Sequence, residues 1–148
     1  MSEEENNKIL QLISKFDDFK FSVYNQSVDE SQAYYMYIIV NSSLKMGKGK
    51  IAAQVGHGVH KMTEYCLEHQ KELWAKYKNS GIPKIVLKTS KDQLLKVIDK
   101  TKNIFKSYVI DEGRTQIAIN SLTAVAYIPL LKKDAPDIFK DKKIFKLL

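Results

Sequence analysis

Between Leu44 and Gly58 the chain reads LKMGKGKIAAQVGHG, so Lys45, Lys48 and Lys50 are interleaved with Gly47 and Gly49 where a strand ends and a helix begins. Such a stretch suits an anion. Ammonium groups bring charge, glycines let the backbone come close, and the amino end of a helix offers N–H groups and a partial positive charge. On the residues alone three readings are open: a nucleotide-binding loop, a grip on nucleic acid, and a basic helix start with no guest. Further along, Asp111 is followed by Arg114 and Thr115, and Thr123 stands at the start of a later apolar run.

Several chemistries are excluded by spacing. The pattern Gly-x-x-x-x-Gly-Lys-Ser/Thr, ended at Gly49-Lys50, needs glycine at position 44 and a hydroxyl at 51, where the chain has Leu44 and Ile51. Gly-x-Gly-x-x-Gly also fails, because Gly47-Lys48-Gly49 leads to Ala52. The anion is therefore not expected to be a nucleoside triphosphate. His57 and His60 stand three apart without a third ligand, so neither a metal nor another cofactor is expected. There is no Gly-x-Ser-x-Gly nucleophile elbow, and Cys66 falls on an apolar helix stripe and reads as packing. Any hydrolysis here needs water as the nucleophile, activated or oriented by polar side chains.

These residues need a frame. Tyr34–Val40 (YYMYIIV) is aromatic and β-branched on both alternating faces, as a central strand is. From about Gly49 the period turns helical. Ala52, Val55, Val59, Met62 and Cys66 predict the core-facing stripe, which leaves Lys50, Gln54, His57 and Lys61 on the opposite face. A second helical piece takes in Leu73, Trp74 and Tyr77 and ends near Gly81. KIVLK (84–88) is a buried strand, and Ser90 with Gln93 makes a capping box for a helix to about Lys102. SYVID (107–111) and LTAVAYI (122–128) are further strands joined by the loop EGRTQIAINS, and a short helix near Pro136–Phe139 precedes a basic tail. Two helical crossovers imply parallel pairing of the first three strands, while a loop too short for a crossover turns the last one round. The expected fold class is α/β: a three-layer α/β/α sandwich with a four-stranded mixed sheet, last strand antiparallel. Ligands favour the carboxyl ends of strands in such sheets, so residues 45–50, 111–115 and 121–123 should converge on one rim.

The 148 residues carry a net charge of +7, unevenly spread. Residues 1–33 hold seven acidic residues and three lysines, a balance of −4, which leaves +11 on the rest and an attraction for polyanions such as nucleic acid. That segment reads as an extension. Ile9, Leu10, Leu12, Ile13, Phe16 and Phe19 recur at helical spacing and are expected to dock on the body, and FSVYNQSVDESQ follows as a linker. Residues 34–148 then form a single domain. No apolar run approaches the ~20 residues of a membrane span. The acidic start MSEEENN does not resemble a signal peptide, and one cysteine permits no internal disulfide, so a cytoplasmic location and no membrane partner are expected.

LKMGKGKIAAQVGH (44–57), GIPKIVLK (81–88) and DEGRTQIA (111–118), in this order and spacing, resemble the type 2 peptidyl-tRNA hydrolases of archaea and eukaryotes. The resemblance covers roughly Tyr34 to Leu148. It implies the mixed-sheet fold argued above, cleavage of the ester joining a peptide to the terminal ribose of tRNA, tRNA rather than DNA as partner, and a homodimer. It also implies Lys50, Asp111, Thr115, Thr123 and His57 as catalytic residues. On that reading Asp111 orients or deprotonates the water, and Thr115 and Thr123 hold the water or the ribose end. Lys50 stabilises the oxyanion or holds the terminal phosphate, and His57 tunes Lys50 or positions substrate. Lys45, Lys48, Gln54 and Arg114 would contact the RNA. Ala118-Ile119-Asn120 departs from the proline and glycine usual in the family's loop. The alternative is a non-catalytic tRNA-binding or adaptor protein on the same fold.

Overall fold

The computed structural model describes residues 1–14, 28–111 and 121–148. Strand β1 (Tyr34–Asn41) is its centre. Met36 and Ile38 point to one core with Met62, Cys66, Tyr77 and Val109, whereas Tyr37 and Ile39 point to another with Leu94, Val97, Val125 and Phe139. A strand apolar on both sides is stable only when both are covered. Helices α2 (Lys48–His69) and α3 (Lys71–Asn79) cover the first face. Helix α4 (Lys91–Lys100) and a 3-10 turn at Asp137–Lys140 cover the second. The expected cap is present: Ser90 Oγ accepts from the Gln93 N–H at 3.3 Å.

Strand β2 (Lys84–Thr89) pairs parallel with β1. Strand β4 (Ser121–Tyr127) pairs antiparallel on its other side, and β3 (Lys106–Asp111) pairs antiparallel with β4 at the sheet edge. The α/β class and the mixed sheet are as expected, but two details differ. The sheet has six strands, not four. Leu130–Leu131 (β5) adds antiparallel to the start of β1, and Lys146–Leu147 (β6) adds antiparallel to β2. Each is two residues long, too short for any alternation to show in sequence. In addition, β3 runs in the direction of β1 and β2 but pairs with neither, because β4 lies between. Strands consecutive in the chain are commonly neighbours in space, and the shorter loop between β3 and β4 costs less entropy to close.

Helix α1 (Glu3–Ile13) is capped by Ser2, whose Oγ accepts from the Glu5 N–H at 3.1 Å. None of its residues is buried, so the expected docking on the body is not seen for this helix. Phe16, Phe19 and residues 21–27 of the expected linker lie outside the described residues.

The seating of α2 on the sheet depends on Gly58. A Cβ there would lie 3.2 Å from Ala126 Cβ and 3.4 Å from Val109 Cγ2. Gly58→Val should therefore cost about 1–3 kcal/mol by overpacking, read as a lower denaturant midpoint with an unchanged slope. On the opposite face, burial pushes the Tyr127 phenol up from 10.0 to about 12, against a smaller opposing effect of its 2.7 Å hydrogen bond with Thr101. The folded state thus holds this phenol neutral. Its contribution to stability is full below pH 10 and is lost as pH rises towards 12. A titration of unfolding free energy over that range should fall less steeply for Tyr127→Phe than for the native chain.

Candidate active site

Strand β1 ends at Asn41, β3 ends at Asp111 and β4 begins at Ser121, so three distant segments share one rim of the sheet. Lys50, in the first turn of α2, reaches across that rim. Its Nζ donates to Asp111 Oδ1 at 2.6 Å, with the side chains 17% and 6% exposed. A carboxylate so deeply placed is stable in its charged form only with partners, and an ammonium at this distance is a strong one.

The polar row of α2 departs from the expected arrangement. Gln54 is 4% exposed and continues into the buried line of Gly58, Met62 and Cys66, whereas Ala52, expected in the core, is exposed. Lys61 is exposed, as expected, whereas Lys50 is half-buried and Gln54 buried. They lie along β3 and β4, Lys50 on Asp111, Gln54 on Thr123, and Lys61 with its Nζ donating to the Tyr108 carbonyl at 3.0 Å. The cause is the edge position of β3, which places strand-end polar groups beneath the helix where water was expected.

Thr123 reaches Gln54 because the β3–β4 ladder is irregular. Val109 pairs with Ala124 and Ile110 with Leu122, which leaves Thr123 as the extra residue of a β-bulge. Strict alternation would turn Thr123 away from Ala124, onto the face where Leu122 in fact packs. The bulge instead keeps Thr123 and Ala124 both towards α2. The fully buried Thr123 Oγ1 lies 2.6 Å from Gln54 Oε1 and 3.1 Å from the Val109 carbonyl oxygen. A hydroxyl has one proton, so it donates to one of these acceptors at a time.

Asn41 is a site residue that the sequence reading missed. It is buried, its Nδ2 donates to the Leu122 carbonyl at 2.9 Å, and its Oδ1 accepts from the Ser43 N–H at 3.1 Å. One side chain thus ties the residue before Thr123 to the loop that leads into α2. Ser43 Oγ in turn accepts from the Lys91 N–H at 2.9 Å, tying that loop to the start of α4. The available signal was a single amide closing an apolar strand. Beyond Ser43 the loop turns through Lys45, held at φ 52° and ψ 42°, a left-handed conformation that costs a non-glycine residue about 1 kcal/mol.

The structure thus brings Lys50, Asp111, Gln54 and Thr123 into two adjoining contacts. Lys45 and Lys48 are exposed, and His57 is exposed on α2, outside those contacts. Arg114 and Thr115 lie outside the described residues, as does the loop at Ala118–Asn120. Gly47 is the N-cap of α2 and supplies no side-chain hydrogen bond, so the helix start presents its first-turn N–H groups without a side-chain cap. A Cβ at Gly47 or Gly49 would meet nothing within 4 Å, so neither glycine is required by packing within the chain. Among the described residues no group of three or more His, Cys, Asp or Glu lies together as a metal site would, and no helix is long and apolar enough to cross a membrane. Chemically, the arrangement offers a cation, a carboxylate and a hydroxyl beside bare backbone.

A family model described as peptidyl-tRNA hydrolase PTH2 matches residues 34–145. A peptidyl-tRNA hydrolase of Methanococcus maripaludis is 35% identical over 114 residues, which cover 75% of this chain and 98% of that protein. Another from Sulfurisphaera tokodaii is 38% identical over 101 residues, 64% of this chain and 84% of its own. Peptidyl-tRNA hydrolase 2, mitochondrial, of Bos taurus is 35% identical over 103 residues, 68% of this chain and 58% of that protein. A Drosophila melanogaster relative is matched over 56% of its length, so the chain spans little more than half of these two animal proteins.

Asn41→Asp keeps the acceptor facing Ser43 and replaces the donor facing Leu122 with a carboxylate oxygen. It should lower unfolding free energy by about 1–3 kcal/mol, with hydrogen exchange speeding up at residues 121–124 more than at Ser43.

Proposed function

The chain belongs to the PTH2 family of peptidyl-tRNA hydrolases, and from that membership we propose that it hydrolyses the ester between a peptide, or an N-blocked aminoacyl group, and tRNA, releasing free tRNA. The observation that carries the reading is the 2.6 Å Lys50–Asp111 pair on the rim where α2 begins. Ester cleavage needs a water directed at the carbonyl carbon and positive charge where the carbonyl oxygen becomes an oxyanion. The Asp111 carboxylate orients that water or takes its proton. The Lys50 ammonium and the first-turn N–H groups of α2 face the developing oxyanion or the terminal phosphate. The water's oxygen bonds to the carbonyl carbon, the ribose oxygen leaves and takes up a proton, and the products are a free acid and a free tRNA.

The remaining residues take supporting roles in this proposal. Thr123, aimed by the bulge and held against Gln54, and Thr115 hydrogen-bond the water or the ribose end. Because Gln54 is buried against Thr123, its role shifts from RNA contact to positioning that hydroxyl. Lys45, Lys48 and Arg114 grip the acceptor-end backbone, which makes binding weaken with salt. Bare glycine backbone at 47 and 49 leaves room for that approach. His57 positions substrate from the exposed side of α2. The reading includes a homodimer, which light scattering tests directly.

In single-turnover cleavage of an N-acetylated aminoacyl-tRNA, Asp111→Asn and Lys50→Met should each lower the rate by about 100-fold or more, with tRNA binding changed far less. Both substitutions keep side-chain size, and an unfolding measurement on each separates loss of chemistry from loss of fold. Native chain that binds this substrate and leaves the ester intact would replace the hydrolase reading with that of a tRNA-binding adaptor.

A further inference from the structure

The sheet edge opposite β3 carries a groove of about 760 Å³ at β2 and β6. The exposed Leu147 and the edges of the buried Leu87, Phe139 and Phe145 line it with apolar surface. Four exposed lysines, Lys132, Lys140, Lys142 and Lys146, surround that surface. An apolar floor with a cationic rim fits an amphipathic segment whose polar residues are acidic.

The chain contains one. Helix α1 places Glu3, Glu4 and Glu5 in its first turn and then Ile9, Leu10, Leu12 and Ile13, which share one side of the helix at 100° per residue. Leu10 and Leu12 are 55% and 59% exposed, an apolar side without cover. The tether begins at the groove. Lys132, a rim residue, pairs with Glu30 at 3.4 Å, and Glu30 also accepts a hydrogen bond from Tyr35. That last contact and burial push the Tyr35 phenol up to about 12. From Glu30 back to Ile13 there are 16 intervening residues, which reach about 60 Å at most when extended.

We propose that α1 seats its Ile9/Leu10/Leu12/Ile13 side in the groove of its own chain, with Glu3, Glu4 and Glu5 meeting the lysine rim. The docked helix covers the Phe139–Phe145 floor and neutralises part of the basic surface at the edge remote from Asp111. This contact is independent of the hydrolase reading and stands or falls without it.

Hydrogen–deuterium exchange on the full chain at low salt tests it, against the same chain carrying Leu10→Asp with Leu12→Asp. Unchanged β1 exchange in the variant reports that the body stays folded. The native chain should show at least tenfold slower exchange than the variant in both α1 and residues 139–147, with the difference shrinking in high salt. Equal exchange in the two chains at both segments would overturn the proposal. So would an oligomer that light scattering finds larger for the native chain than for the variant, which assigns the groove to a second copy's helix. Protection of residues 139–147 only on adding tRNA, and equally in both chains, would overturn it in favour of an RNA surface.

Discussion

A nearly buried carboxylate at the end of an edge strand constrains this structure more than any other group. Asp111 at 6% exposure is stable as an anion only with partners, and the Lys50 ammonium 2.6 Å away comes from the first turn of α2. That contact fixes where the helix begins relative to β3. The helix must then cross β3 and β4 closely along its length, and Gly58 supplies the close approach where a methyl group would crowd Ala126 and Val109. Loop, helix start and sheet edge are thereby one unit, which Asn41 stitches from below by holding both Leu122 and Ser43.

Within that unit the β-bulge decides which groups meet. A regular hairpin would send Thr123 to the face of the second core. The extra residue turns it under α2, where Gln54 and the Val109 carbonyl hold it. Lys50 and Gln54, one helical turn apart, therefore stand over the end of one strand and the start of the next. Among the described residues, the candidate site is thus carried on a helix and two strands. Such elements hold a side chain's position better than loops do.

The two edges of the sheet differ in character. The β3 edge carries paired, largely buried charge beside bare glycine backbone. The β6 edge carries lysines around an aromatic floor. The positive balance of residues 34–148 is therefore not one uniform field, and salt acts differently on the two regions because exposed charges are screened far more than buried pairs.

Much of this was legible in the sequence. The four long strands, the three helices of the body and the Ser90 cap all follow from runs of apolar residues and local hydrogen-bonding chemistry. The convergence of residues 45–50, 111 and 121–123 follows from strand direction. The family was legible too, because LKMGKGKIAAQVGH and DEGRTQIA hold their residue types at fixed spacing. What could not be read was set by contacts between segments far apart in the chain. The two-residue strands β5 and β6 exist only through their partners. The buried side of α2 is set by which strand lies beneath it, so Gln54 was assigned to solvent and Ala52 to the core. The register slip at Thr123 leaves no mark on a run of seven strand residues. Periodicity records the average environment of an element, whereas a bulge, a strand's neighbour and a helix's facing partner are decided only when the elements pack.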